Sequence, residues 1–220
     1  MTLFISYGMT RSGSTLAFET EKAILEKYGM PQQKIIFEGL ESWNENYLPE
    51  KYLSDIDSLK KINQNTLTNF VVFKTHGAAN KKLIKFIRKF NIPVTISVRD
   101  PKDIIISLLE ISKKNRSINE TGFINIFSFK DSLKNVEEDL WRLETWRPLI
   151  EDGTAKVIPY EDTIKDAEII IKFLADLTSK PKLLIIEIKE ITKERFTQFN
   201  VGVAGRGQKY LNYLEIFRVE

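Results

Sequence analysis

Five short apolar runs recur along the 220-residue chain: Leu3 to Tyr7, Lys34 to Phe37, Phe70 to Phe73, Pro93 to Val98 and Ala155 to Ile158. Each is four to six residues long and rich in β-branched or aromatic side chains, the pattern of strands buried on both faces of a parallel sheet. Between them lie stretches with helical spacing: Ser14 to Tyr28, Asn80 to Phe90, Lys102 to Lys113, Ser132 to Ile150, Thr163 to Leu177 and Leu183 to Phe199. This alternation predicts a three-layer α/β fold, with a mostly parallel central sheet of about five strands and helices on both faces. Without internal repeats or a Pro/Gly-rich linker, residues 1–220 are expected to form a single domain. Gly39 to Asn69 and Asn115 to Lys130 fit the alternation poorly. They read either as pocket-lining insertions or as plain surface connections.

Composition narrows the chemistry. The chain has no cysteine and one histidine, His76, which excludes disulfide scaffolds, thiol nucleophiles, Cys-rich zinc sites and sites needing two histidines. Against 30 acidic residues stand 33 basic ones, a net charge of +3, and a nucleic-acid binder is expected to be far more basic. No run approaches the roughly 18 apolar residues of a membrane span, and the N-terminal run lacks a positively charged leader. The expectation is a cytoplasmic protein without a membrane or nucleic-acid partner.

Directly after the first run comes Gly8-Met9-Thr10-Arg11-Ser12-Gly13-Ser14-Thr15, leading into a helical pattern. Its two glycines have the spacing of a phosphate-binding P-loop and Thr15 matches the hydroxyl position, but Ser14 stands where that loop has its lysine. A glycine-bearing turn between strand and helix lets backbone N–H groups converge on an anion at a helix N-terminus. Arg11 can replace the missing cation, because a guanidinium grips two oxygens at once. A tight turn with a capping serine is the plainer alternative. A nucleotide kinase is another, although it generally needs the absent lysine and a magnesium-binding aspartate.

The fourth run leads into Val98-Arg99-Asp100-Pro101-Lys102-Asp103 and an apolar helix carrying Ser107. Pro101 suits a first helical turn, with Asp100 as its cap. Arg99 then sits at the carboxyl end of a strand, where open α/β sheets bind ligands. Taken singly, Arg99 could be a structural ion pair with Asp103, and Ser107 could bond the preceding turn.

The combination is more specific. Tyr7 to Thr15 resembles the 5′-phosphosulfate loop of sulfotransferases that use 3′-phosphoadenosine 5′-phosphosulfate (PAPS), and Arg99 to Asp103 with Ser107 resembles that family's 3′-phosphate motif. Phe73-Lys74-Thr75-His76 is similar to the family's catalytic-base segment, and Tyr160-Glu161-Asp162 to a segment whose tyrosine lies near the adenine. Gly202 to Lys209 partly resembles its C-terminal glycine-rich loop. The resemblance implies a P-loop NTPase-like fold and in-line sulfuryl transfer from PAPS to a hydroxyl or amine of a small-molecule or carbohydrate acceptor. The product would be adenosine 3′,5′-bisphosphate (PAP).

The resemblance assigns donor binding to Thr10, Arg11, Ser12, Gly13, Ser14, Thr15, Arg99, Ser107, Tyr160, Gly205, Arg206 and Gly207. His76 would be the general base, Lys74 would stabilise the moving sulfuryl oxygens, and Arg11 would stabilise charge on the leaving oxygen. Sulfuryl carries less charge than a γ-phosphoryl group, so no metal is required. The sequence departs from the family at Arg11 (often lysine), at Leu16 (often tryptophan) and at Asn200 and Val201, where the C-terminal loop has a basic pair. Arg206 or Lys209 would have to replace that pair. The remaining alternative is a non-catalytic nucleotide-binding protein, and a homo-oligomer is compatible with the sequence.

Overall fold

The computed structural model describes residues 2–35, 46–63, 70–183 and 204–207. Among them, four strands form one parallel sheet: β1 (Thr2–Gly8), β2 (Phe70–Thr75), β3 (Val94–Val98) and β4 (Ala155–Pro159), in the order β2-β1-β3-β4. β1 pairs with β2 from Thr2↔Phe70 to Tyr7↔Thr75, and with β3 from Ile5↔Val94 to Gly8↔Ser97. The chain leaves β1 toward β2 but leaves β3 toward β4. The connections therefore diverge above the carboxyl ends of β1 and β3, opening the crevice in which such sheets hold ligands.

Helices cover both faces, as the uninterrupted apolar strands require. On one face Leu3, Ile5, Phe73, Val94 and Ile96 pack against α3 (Ile56–Ile62), α4 (Lys81–Phe90) and α6 (Phe129–Glu151), with Trp146 and Leu149 of α6 fully buried. On the other, Phe4, Val72 and Ile158 meet α1 (Ser14–Lys27) and α8 (Glu168–Thr178). Deleting a fully buried leucine or phenylalanine in such a core typically costs about 2–5 kcal/mol. α5 (Pro101–Ser117) packs its isoleucines against Val136 of α6 and Met9 beyond the sheet end.

Two sequence expectations need correction. Lys34 and Ile35 are not in a strand, and residues 36 and 37 of that run lie outside the described residues. The outer edge of β2 is met instead by the Gln32 side chain, whose Nε2 donates to the Phe70 carbonyl (2.7 Å) while its Oε1 accepts the Val72 N–H (3.0 Å). Farther along, Lys74 N–H donates to Asn46 O and Leu48 N–H to Lys74 O, both at 2.8 Å. The single helix expected over Thr163 to Leu177 is two: α7 (Tyr160–Lys165) and α8, broken at Ala167 with φ 54°. Asp162 drives the break, accepting Ala167 N–H on its carbonyl (2.9 Å) and Ile169 N–H on its carboxylate (3.2 Å).

The Gly39 to Asn69 region contains the short α2 (Glu50–Leu53) and α3, and Asn115 to Lys130 folds back on α5, with Arg116 donating to the Ile124 and Ile126 carbonyls at 2.9 Å. The helix expected over Leu183 to Phe199 lies, beyond Leu183, outside the described residues, as do Asn200, Val201 and Lys209. Among the described residues no helix is long and apolar enough to cross a membrane.

Candidate active site

The loop from Gly8 to Ser14 turns sharply over the end of β1. Arg11 has φ 62° and Gly13 φ 84°, both left-handed. Glycine is required at 13 on a second count, since a Cβ there would lie 2.4 Å from the Tyr160 ring. Ser12 stitches the turn internally, its Oγ donating to Met9 O at 2.7 Å and its N–H to the same carbonyl at 3.2 Å. Thr10 N–H donates to Asp139 Oδ2 of α6 at 2.7 Å. Gly13 is the N-cap of α1 and brings no side-chain acceptor, so the first N–H groups of that 14-residue helix face the crevice with the positive end of its dipole. No serine caps α1 as the plainer alternative had it: Gly13 is the N-cap and Ser14 is the first helical residue.

Two guanidiniums meet beside this loop. Arg99, its side chain 7% exposed, donates to the Arg11 carbonyl (3.3 Å), lies over the Tyr160 ring at 4.0 Å and pairs with Asp103 at 3.5 Å. Arg11 is half-buried, and its Nε donates to Ser107 Oγ at 3.1 Å. Burial, then the charge of Arg99, holds the Arg11 pKa below its ordinary value. Ser107 thus accepts from a cation and keeps its own proton for a further acceptor. Tyr160, expected near an adenine, is the ring on which Arg99 and Gly13 rest.

On the other side of the loop are Lys74 and His76. Lys74 Nζ donates to Thr15 Oγ1 at 2.5 Å, which leaves the threonine proton to point elsewhere. His76 Nδ1 lies 2.5 Å from the Gly8 carbonyl. A carbonyl only accepts, so Nδ1 carries the proton and Nε2 is left as a lone-pair acceptor. Desolvation, followed by the charge of Lys74, lowers the His76 pKa to about 4, so the ring is neutral near pH 7.

Several residues here were not singled out from the sequence. Asp139 joins Thr10 N–H to Arg142, whose Nη1 is 3.0 Å away, and Arg142 reaches Glu50 at 3.7 Å. The signal for Asp139 is a carboxylate on the stripe Ser132, Val136, Asp139, Trp146 and Leu149 that α6 buries. This charged group borders Tyr7, whose ring stacks on Trp146 at 4.9 Å, and Tyr47, whose ring centroid is 5.8 Å from that of His76. Burial and the Asp139 carboxylate push the Tyr7 phenol up, and burial does the same for Tyr47, so both stay neutral donors. Of the aromatics Trp43, Tyr47 and Tyr52 in the Gly39 to Asn69 region, Tyr47 lies beside His76, Tyr52 packs on the core with Lys51 over its ring, and Trp43 lies outside the described residues.

At the far side the 204–207 turn is docked on α5. Gly205 and Gly207 N–H donate to the Asp103 carboxylate at 2.7 and 2.6 Å, and both Arg206 Nη atoms bond the Glu110 carboxylate, one at 2.8 Å. Direct contacts thus link Arg11 to Ser107 and Arg99, Arg99 to Tyr160 and Asp103, Asp103 to Gly205 and Gly207, and Lys74 to Thr15. Ser12 and the Thr10 N–H are committed to internal bonds, and Arg206 is paired to Glu110.

The parallel β2-β1-β3-β4 sheet with helices on both faces and a glycine loop leading from β1 into α1 defines an α/β protein, and its overall structure is that of the sulfotransferases: the chain has the sulfotransferase fold. It is similar to a mouse sulfotransferase, SULT7A1, complexed with PAP (TM-score 0.57, 14% identity, 99% of this chain and 81% of the other). It is also similar to a retinol dehydratase, in a complex with retinol and PAP (TM-score 0.59, 17% identity, 100% and 79%) and with androsterone and PAP (TM-score 0.58, 17%, 99% and 78%). No family model and no curated protein sequence matches the chain.

Proposed function

We propose that this protein is a PAPS-dependent sulfotransferase, moving a sulfuryl group to a hydroxyl or amine of a small-molecule or carbohydrate acceptor with His76 as general base. The observation that carries the reading is the approach of Arg11 and Arg99, two like charges held together at a glycine loop. Such a pair is costly by itself and favourable around a ligand with several negative charges. Three neighbouring structures are complexed with PAP, which carries two phosphates on one ribose and so presents several negative charges to a close pair of cations.

In this reading PAPS supplies the sulfuryl group, and the protein's own residues do the rest. His76 Nε2 accepts the proton of the acceptor hydroxyl as the new S–O bond forms. The first N–H groups of α1, the Thr15 hydroxyl and Arg11 donate to the bridging oxygen that takes the electron pair when the old S–O bond breaks, stabilising the transition state more than the ground state. Lys74 fixes Thr15 and faces the transferring oxygens. Glu50, Arg142 and Tyr47 form a polar rim for the acceptor.

Titration calorimetry with PAP and with ATP·Mg tests the reading. PAP is expected to bind, and to bind about 10- to 100-fold more weakly in Arg99→Ala. Preference for ATP·Mg would instead indicate a phosphotransferase.

A further inference from the structure

We propose that the outer surface of α4 and α6 is the interface of a two-fold dimer, in which the lysines of one copy's α4 dock on Trp141 and the carboxylates of the other copy's α6. Of the chain's 33 basic residues five stand in α4, which has no acidic residue; the rest of the chain, with 28 basic against 30 acidic, is net negative. At about 3.6 residues per turn, Lys81, Lys82, Lys85, Arg88 and Lys89 fall within an arc of about 120°, turned away from the buried Leu83, Phe86 and Ile87. All five are exposed. Arg88 is matched by Asp152 at 2.8 Å, but among the described residues no carboxylate pairs with the four lysines.

The complementary chemistry is on α6. From Glu137 to Glu151 its exposed charges are four carboxylates and Arg147, which pairs with Glu144 at 2.6 Å. Among the described residues no cation pairs with Glu137, Glu138 or Glu151. Within this stretch Trp141 is 62% exposed and Leu140 38%. An indole set among carboxylates suits lysine, whose stem covers apolar surface while its ammonium meets the ring face or a carboxylate. Both helices back onto the same side of the sheet, Leu83 and Phe86 of α4 entering one core with Trp146 and Leu149 of α6, and Ala79 N–H donates across to Thr145 Oγ1 at 2.8 Å. The lysine stripe and the Trp141 patch therefore lie side by side and face outward together. A two-fold axis passing between two such patches exchanges them. A second copy then brings lysines to Trp141 and takes lysines in return, which closes the assembly at two.

Sedimentation velocity on the full chain tests this. Wild type is expected to be a dimer at about 10 μM in low salt and to dissociate as sodium chloride rises toward about 0.5 M, because the contacts are charge pairs near the surface. Lys82→Glu with Lys85→Glu, Glu137→Lys with Glu138→Lys, and Trp141→Ala should each weaken the dimer roughly tenfold or more. The two charge-reversed chains, each monomeric alone, should form a mixed dimer when combined, because opposite charges then meet at both contacts. Misfolded variants could not recover in this way. Failure of the mixed dimer to form, or a wild-type dimer indifferent to all three variants, overturns the inference. So does a wild-type chain that stays monomeric at about 100 μM; retention of that monomer on heparin, lost in the lysine variant, would assign the stripe to a linear polyanion instead.

Discussion

The two ends of the site are built in opposite ways. The loop end is local: Gly8 to Thr15 is one uninterrupted stretch, closed by its own Met9 carbonyl and steadied by single contacts from Lys74, His76 and Asp139. The Arg99 end is assembled from distant pieces, with Tyr160, Asp103 and the 204–207 turn each contributed by a different segment. A local site tolerates loosening elsewhere in the chain. An assembled one is only as good as its docking, and changes there should affect ligand choice before they affect chemistry.

The largest expected effect lies at the loop end. His76→Ala should lower kcat by about 10²- to 10⁴-fold, the usual range for a general base, with PAP affinity unchanged by calorimetry. Full activity in that variant would break the division between the two ends. Because the His76 pKa is held at about 4, the acid limb of kcat/KM should fall near pH 4 rather than near 6.5. The same shift acts on stability. The unfolded chain binds the proton more readily between about 6.5 and 4, so this residue's contribution is lost as pH falls through that window.

Glu21, beneath the loop on α1, has the opposite sign. It is fully buried, accepts the Thr95 hydroxyl at 2.6 Å, and burial raises its pKa from 4.5 to about 7. The folded chain binds this proton more tightly, so stability declines as pH rises from 4.5 to about 7. Urea melts of wild type against Glu21→Gln should diverge across that range by on the order of 3 kcal/mol. A constant difference would show that the carboxyl is already ionised at the lower pH.

Arg99→Ala should weaken PAP by about 10- to 100-fold, the scale of one or two charge-assisted bonds, and weaken 5′-AMP, which lacks the 3′-phosphate, much less. Equal losses would mean that Arg99 braces the loop instead of distinguishing the nucleotide. The smallest expected effect is that of Gly13→Ala. Its left-handed φ and the nearby Tyr160 ring should cost roughly 1–3 kcal/mol in a denaturant melt, and because Tyr160 also carries Arg99 it should perturb both ends together.

The same division decides what could be read in advance. β1, the loop and α1 follow one another in sequence, and a glycine turn between an apolar run and a helix has few foldings, so its residues were legible with the right neighbours. Arg99 and Ser107 were legible because a strand end and a helix face have fixed periods. Asp139, Arg142 and Glu50 were not, because their roles depend on how α6 and α2 lie against the loop, and no local period encodes that. The absence of a strand at Lys34 and Ile35 has a similar reason. A run such as Lys34 to Phe37 has strand composition, but Gln32 with Asn46 to Leu48 meets β2 through bonds no periodicity reveals. Asp162 broke a helix in the same manner, by offering nearby N–H groups an alternative partner.

The Gln32 contact has a further consequence, for the behaviour of many copies together. An edge strand whose outward N–H and C=O groups are unmatched is a template on which another chain can add a strand. Here Phe70, Val72 and Lys74 already have partners along that edge, two of them served by one amide that imitates a peptide group. A single side chain outside the site thus occupies edge groups on which a second copy could otherwise add a strand.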